Sequence, residues 1–239
     1  SASIISDTII LTAAHCMDHA YKSTADVSGL WVYFSNKVPS IDDVLPDNLL
    51  RKAVNGVVHP EWGDAIEKVN AGLNNINDIG ILSFSGGLPQ SFVPAKLVDS
   101  TTVLVAHQKI TGAGFGFVSI WPREQVRGDD EDNFLKTSQL KWATFEITDP
   151  NFAEREFSAN DPNKRQFVCV GDSGGPMYVQ DSSGQLLLVG IIVRGTLIIK
   201  EFKEIMCGEN IYQIFTKISA YLDWISSESK KLNDELSGS

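Results

Sequence analysis

Eight residues constrain this chain more than any others: Cys169-Val170-Gly171-Asp172-Ser173-Gly174-Gly175-Pro176. Glycines reach backbone angles that side chains forbid, so three of them around one serine, closed by a proline, predict a tight turn. Such a turn presents the serine hydroxyl outward. The amides of Gly171 and Ser173 can then converge on one point, the geometry that an oxyanion needs. A Gly-rich β-turn with an incidental serine reads the same over any five of these residues. The inference therefore rests on the whole octapeptide and on what the rest of the chain supplies.

A serine hydroxyl is a weak nucleophile and needs a base, which in turn needs an orienting acid. The base candidate is His15, in Thr12-Ala13-Ala14-His15-Cys16. The acid candidate is Asp78, in Asn77-Asp78-Ile79-Gly80-Ile81-Leu82. Three other histidines compete. His19 follows His15 by four residues, a spacing that suits zinc, but no glutamate stands between them as a metalloprotease helix requires. His59 precedes a proline, and His107 lies in no motif.

Length and composition narrow the classes. The 239 residues suit one all-β unit. Apolar residues at 43 % and charged residues at 21 % provide a real core. The net charge of −10, from 20 basic and 30 acidic residues, argues against nucleic acid as a partner. No apolar run reaches the roughly eighteen residues of a membrane helix, and no signal-peptide pattern is visible. Strand-like runs are short: Ser1–Leu11, Leu30–Phe34, Val54–Val58, Ile79–Phe84, Lys109–Ala113 and Leu186–Val193. Polar loops separate them, at Pro39–Asp47, Trp62–Asn77, Arg123–Asn133 and Asp149–Arg165. Asp129 to Asp132 are four acids in a row, without the alternate spacing and turn glycine of a calcium loop. Ile218, Tyr221, Leu222 and Ile225 predict one amphipathic helix over 218–226, followed by a polar tail over 227–239. This pattern indicates an all-β barrel or sandwich and stops there.

The blocks around His15, Asp78 and Ser173, in that order, resemble the signature blocks of the chymotrypsin/trypsin-like serine proteases. Lesser blocks agree: Val58-His59-Pro60, Gly114-Phe115-Gly116, and Phe215-Thr216-Lys217 leading into Tyr221-Leu222-Asp223-Trp224-Ile225. The resemblance runs from about Ser1 to Ile225. It implies two six-stranded antiparallel β-barrels and a C-terminal helix within a protease domain over 1–226. The first barrel would cover 1–100, without its opening strands, and the second 101–217. It implies a secreted or extracellular endopeptidase (periplasmic in a bacterium) with no metal or organic cofactor. Ser173 would be the nucleophile, His15 the base and Asp78 the orienting acid. The amides of Gly171 and Ser173 would hold the oxyanion. The implied partners are protein or peptide substrates, an activating protease and protein inhibitors.

The resemblance also assigns lesser roles. Asp172 matches the acid that pairs with a new N-terminal amine after proteolytic activation. Cys169 and Cys207 match a disulfide that braces the specificity pocket, and the match for the partner of Cys16 lies upstream of Ser1; the alternative is three buried free thiols. Phe167, six residues before the nucleophile, matches the base of the primary pocket, Val193-Arg194-Gly195 its wall, and Gln213 a position near its floor. Phenylalanine offers no charge to an arginine or lysine substrate, so small or medium uncharged side chains are expected. Val193 departs from the family, which usually has a serine there beside the triad acid, and Phe115 stands where tryptophan is commoner. No Ile-Val-Gly-Gly start is present. The rival reading is a non-catalytic homologue or a locked proenzyme acting as a binding protein. All three triad residues are present, which favours the enzyme.

Overall fold

The computed structural model describes residues 1–18, 25–39, 42–63, 74–116, 139–163, 165–197 and 211–238. Apolar residues alternate along its strands, and the alternation sorts them into two cores. On β2 (Ile9–Thr12) and β5 (Gly80–Phe84), Ile9, Leu11 and Ile81 enter one core while Ile10, Leu82 and Phe84 enter the other. That is the period-two geometry of a strand buried on both faces. β1 (Ser3–Ile4), β3 (Trp31–Tyr33) and β4 (Leu50–Val58) complete a five-stranded sheet in the order β1-β2-β5-β4-β3. Its outer core is aromatic: Phe34 packs edge-on against Phe84 and Phe92, at ring separations of 5.4 and 5.2 Å.

The second sheet closes on itself. β7 (Lys109–Gly114), β8 (Lys141–Asp149), β9 (Glu156–Asn160), β12 (Ile211–Lys217), β11 (Leu186–Leu197) and β10 (Pro176–Gln180) follow one another, and β10 pairs with both β7 and β11. Closure pairs most of the ring's edges, which reduces the template for aggregation. The larger apolar core joins the inner faces of both sheets, with Ile9, Leu11 and Ile81 from the first and Phe145, Phe157, Met177 and Phe215 from the second. Each such side chain contributes about 1.5–3 kcal/mol on burial. The line between the sheets is thus fixed by packing, and that line is where the site lies.

Four local expectations change. Ser1–Leu11 is a hairpin rather than one strand, with Ser3 opposite Leu11 and Ile4 opposite Ile10; the polar Ser6-Asp7 pair makes the bend. Lys96–Leu97 forms β6 and pairs in parallel with β11, so a segment assigned to the first barrel hydrogen-bonds to the second. Asp149–Arg165 is not loop throughout: Glu156–Asn160 is a strand, with its first four residues buried. Its polar residues hide this, because their partners are distant in sequence; Ser158 Oγ lies 2.9 Å from Thr148 Oγ1. The helix α1 spans Leu222–Gly238, through most of the stretch read as a tail, while Ile218–Ala220 is a 3₁₀ turn. Leu232, in that stretch, is buried, and Asn233 and Glu235 bond to Thr8 and Asn55 of the first sheet. Docking, not local periodicity, extends it.

Candidate active site

β2 ends at Thr12, and the chain turns through Ala13 and Ala14, both fully buried, into a single 3₁₀ turn that holds His15. Small side chains let this turn press into the core. Asp78 arrives from the other direction, on the loop just before β5. Asn75 and Asn77 there have φ of 60° and 56°, a left-handed region that asparagine tolerates better than most residues. The two segments meet. His15 Nδ1 lies 2.7 Å from Asp78 Oδ2, and the His15 amide donates to Asp78 Oδ1 at 3.0 Å. Asp78 is 2 % exposed, and its backbone carbonyl accepts from Thr216 Oγ1 at 3.0 Å. Burial lowers the His15 pKa, but the hydrogen bonds and charges of Asp78 and Cys16 outweigh it and raise the imidazole to about 10. Cys16 has no disulfide partner among the described residues; burial works to raise its thiol, and neighbouring His15 brings it below the usual cysteine range.

Ser173 sits between Cys169 and β10 on a turn stitched by its own amides. Asp172 N donates to Cys169 O, Gly175 N to Asp172 O, and Gly174 N to Ile192 O on β11. The Ser1 nitrogen donates to Ser173 O at 2.8 Å, Ser1 Oγ to Gly171 O at 3.0 Å, and Thr12 Oγ1 to Ser1 O at 2.9 Å. The turn therefore packs directly on the segment leading to His15. Gly174 has φ +77°, and a Cβ there would collide with Thr12 Oγ1 and Ser1 O, so only glycine fits. The carbonyls of Gly171 and Ser173 are engaged on one side, while their amides have no acceptor among the described residues. Ser173 Oγ makes no hydrogen bond among the described residues. Contacts between nucleophile and base are often long before substrate binds.

Asp172 turns away from Ser173. Its Oδ1 accepts from Gly116 N at 2.7 Å and its Oδ2 from Cys169 N at 2.9 Å, while Lys141 Nζ donates to Gly116 O at 3.0 Å. Burial pushes its carboxyl up, against those two amides and the Lys141 charge. It borders a cavity of about 350 Å³, whose lining includes Gly114, Lys141, Phe167 and Ile192. Phe167 is half-buried and lines the same cavity as Asp172. Val193 is buried at 5 % exposure, and Gly195 is exposed. Gln213 stands opposite Gly195 across β12 and β11 and is 3 % exposed. Its side-chain oxygen accepts from Val168 N at 2.5 Å, and its nitrogen donates to Asn160 Oδ1 at 3.1 Å. Cys169 is disulfide-bonded. Cys207, His19 and Asp129–Asp132 lie outside the described residues.

Sequence reasoning missed two supports of the site. Thr216 lies in a quoted block, yet nothing local assigned its hydroxyl to Asp78. Glu156, 1 % exposed, forms a two-pronged ion pair with Arg194, at 2.7 and 2.8 Å. No periodicity could reveal that pair across 38 residues. Among the described residues, no group of three or more His, Cys, Asp or Glu is placed to hold a metal ion, and no helix is long and apolar enough to cross a membrane.

Comparison with known proteins supplies independent findings. The sequence profile of the trypsin family matches residues 1–225. Serine protease Hayan of Drosophila melanogaster is 24 % identical over 241 residues, covering 93 % of this chain and 33 % of its own length. Vitamin K-dependent protein C of Oryctolagus cuniculus is 28 % identical over 234 residues, covering 91 % and 44 %. Complement C1r subcomponent-like protein of Homo sapiens is 26 % identical over 172 residues, covering 71 % and 32 %. The chain thus spans less than half the length of each of these relatives.

Proposed function

The chain belongs to the trypsin family, and on that premise we propose that it is the catalytic part of a secreted serine endopeptidase acting on proteins or peptides. The contact between His15 and Asp78 carries the reading: a buried carboxylate holds one ring nitrogen at 2.7 Å, beside a turn that presents Ser173. Ser173 Oγ attacks the scissile carbonyl. His15 takes the hydroxyl proton, then returns it to the leaving amine. Asp78 fixes the tautomer and stabilises the imidazolium without being protonated itself. The amides of Gly171 and Ser173 donate to the oxyanion as charge develops there. Water then attacks the acyl-enzyme, with His15 again as base.

The primary pocket is assigned to Phe167, Val193, Gly195 and Gln213. Gln213 spends both ends of its amide on Val168 and Asn160, which supports a closed, neutral floor. None of these four residues offers a charge to a basic side chain, so small or medium uncharged residues are the proposed specificity. The disulfide of Cys169 is assigned to Cys207. Asp172 is assigned the activation role, with an activating protease and inhibitors as further partners. A second reading is a locked proenzyme or non-catalytic binding protein, in which the Asp172 carboxylate keeps the amides of Gly116 and Cys169 as its donors. Peptide hydrolysis by the full-length protein decides between them. Turnover that Ser173→Ala abolishes supports the protease, and a folded protein without turnover supports the second reading.

A further inference from the structure

Glu156 lies at the junction of three segments. Its Oε1 pairs with Arg194 Nη1 at 2.7 Å and its Oε2 with Nη2 at 2.8 Å. The same oxygens accept from the backbone of the loop before β5: Asn75 N at 3.0 Å and Ile76 N at 3.3 Å. Ile76 is two residues from Asp78. Arg194 lies on β11 between Val193 and Gly195, where β12 pairs along one side, while the pairing of β10 along the other ends at Ile191. One carboxylate thus ties the part of β11 past Ile191, where the second edge has no strand partner among the described residues and an extended peptide can add, to the loop that delivers the triad acid.

The surroundings continue the tie. Asn75 and Asn77, both in the left-handed region, are pinned from outside the loop. Arg155 donates from its amide to Asn75 Oδ1 and from its guanidinium to Asn77 Oδ1, each at 2.7 Å. Tyr221 Oη donates to Asn77 Oδ1 at 2.9 Å. Stability alone does not require an ion pair at Glu156, because apolar residues of similar volume often hold a fold as well or better. An apolar pair, however, cannot accept two loop amides.

We propose that Glu156 is a positioning residue for catalysis, which, braced by Arg194, holds the Asn75–Ile76 amides and so sets Asp78 against His15. The proposal rests on the reading of Ser173, His15 and Asp78 as a triad. It assigns Glu156 no contact with substrate. Its effect is geometric, because the pair with Arg194 carries no net charge.

The test uses the full-length protein with Glu156→Leu combined with Arg194→Leu, which removes the tether without stranding a charge, and with Glu156→Gln, which keeps the shape and one accepting oxygen. Three quantities are read: kcat against KM on a peptide substrate, thermal unfolding, and the low-field proton resonance of the His15 Nδ1–Asp78 hydrogen bond. The double variant should fold, lose about 10²-fold in kcat, as a misplacement of about 1 Å can cost, and show a shifted or broadened resonance. Glu156→Gln should recover part of both. A double variant with unchanged kcat and resonance overturns the proposal. So does one that fails to fold, since the network would then be a structural requirement. Should the unmodified protein hydrolyse no peptide, the protease reading fails by itself; the resonance then decides, its displacement sustaining the positioning role and its constancy refuting it.

Discussion

Asp78 grips His15 at two points, with Oδ2 2.7 Å from the ring Nδ1 and Oδ1 accepting the backbone amide at 3.0 Å. The second contact fixes which oxygen faces the ring. In Asp78→Asn the side-chain oxygen would keep the His15 amide, leaving the NH₂ group against Nδ1. Two donors would then face each other unless the imidazole changed tautomer, which removes the base from the Ser173 side. The expected loss is about 10⁴-fold in kcat, and because Asp78 also holds the His15 pKa up, the melting temperature near neutral pH should fall as well. Steady-state kinetics beside a melting curve checks both.

Gly174 predicts a sharper structural effect. A methyl there meets Thr12 Oγ1 and Ser1 O and forces an L-residue to φ +77°. The left-handed conformation costs about 1–2 kcal/mol and the overlap about 1–3 kcal/mol more. Gly174→Ala should lower the unfolding free energy by roughly 2–5 kcal/mol on those terms and displace Ser173. Denaturant unfolding measures the first, and a stability within 0.5 kcal/mol of the parent, as for an ordinary surface change, counts against the close approach.

Against burial, which lowers it, Asp78 and then Cys16 raise His15 from 6.5 to about 10. A base whose folded pKa is raised stabilises the fold fully below its unfolded pKa, and that stability fades as pH climbs from 6.5 towards 10. His15 must be neutral to accept a proton, so activity rises over the same window. Cys16→Ser removes one of the two raising partners. In protein whose Cys16 thiol is free, the acid limb of kcat/KM and the pH-dependent loss of stability should both move to lower pH. Rate profiles and melts over that range test this, and an unmoved limb would show that Cys16 does not act on His15.

The pocket assignment predicts no preference for basic residues. A peptide library should show cleavage after small or medium uncharged side chains, and dominant cleavage after arginine or lysine would refute the assignment. Phe167→Asp adds a test of depth: if Phe167 lies at the pocket base, the new carboxylate should introduce some cleavage after basic residues.

The sequence revealed this architecture unevenly, for physical reasons. Ile9, Leu11, Ile81 and Phe84 follow strand periodicity, so β2 and β5 were legible. The triad blocks were legible because glycines, alanines and asparagines mark places where the backbone bends or packs closely, as at Gly174 and Ala14. β9 was hidden, because Glu156 is satisfied by partners 38, 80 and 81 residues away and Ser158 by one 10 residues away. The length of α1 was hidden too, since Asn233 and Glu235 are polar and meet the first sheet through hydrogen bonds rather than an apolar stripe.

Fluorophosphonate labelling of the full-length protein, followed by peptide mapping, tests the central claim most directly. Such a probe reacts with a serine that a base has activated and an oxyanion site has prepared. The account predicts one label, on Ser173, lost in His15→Ala. A folded protein that takes no label, or takes it on another serine, would contradict it.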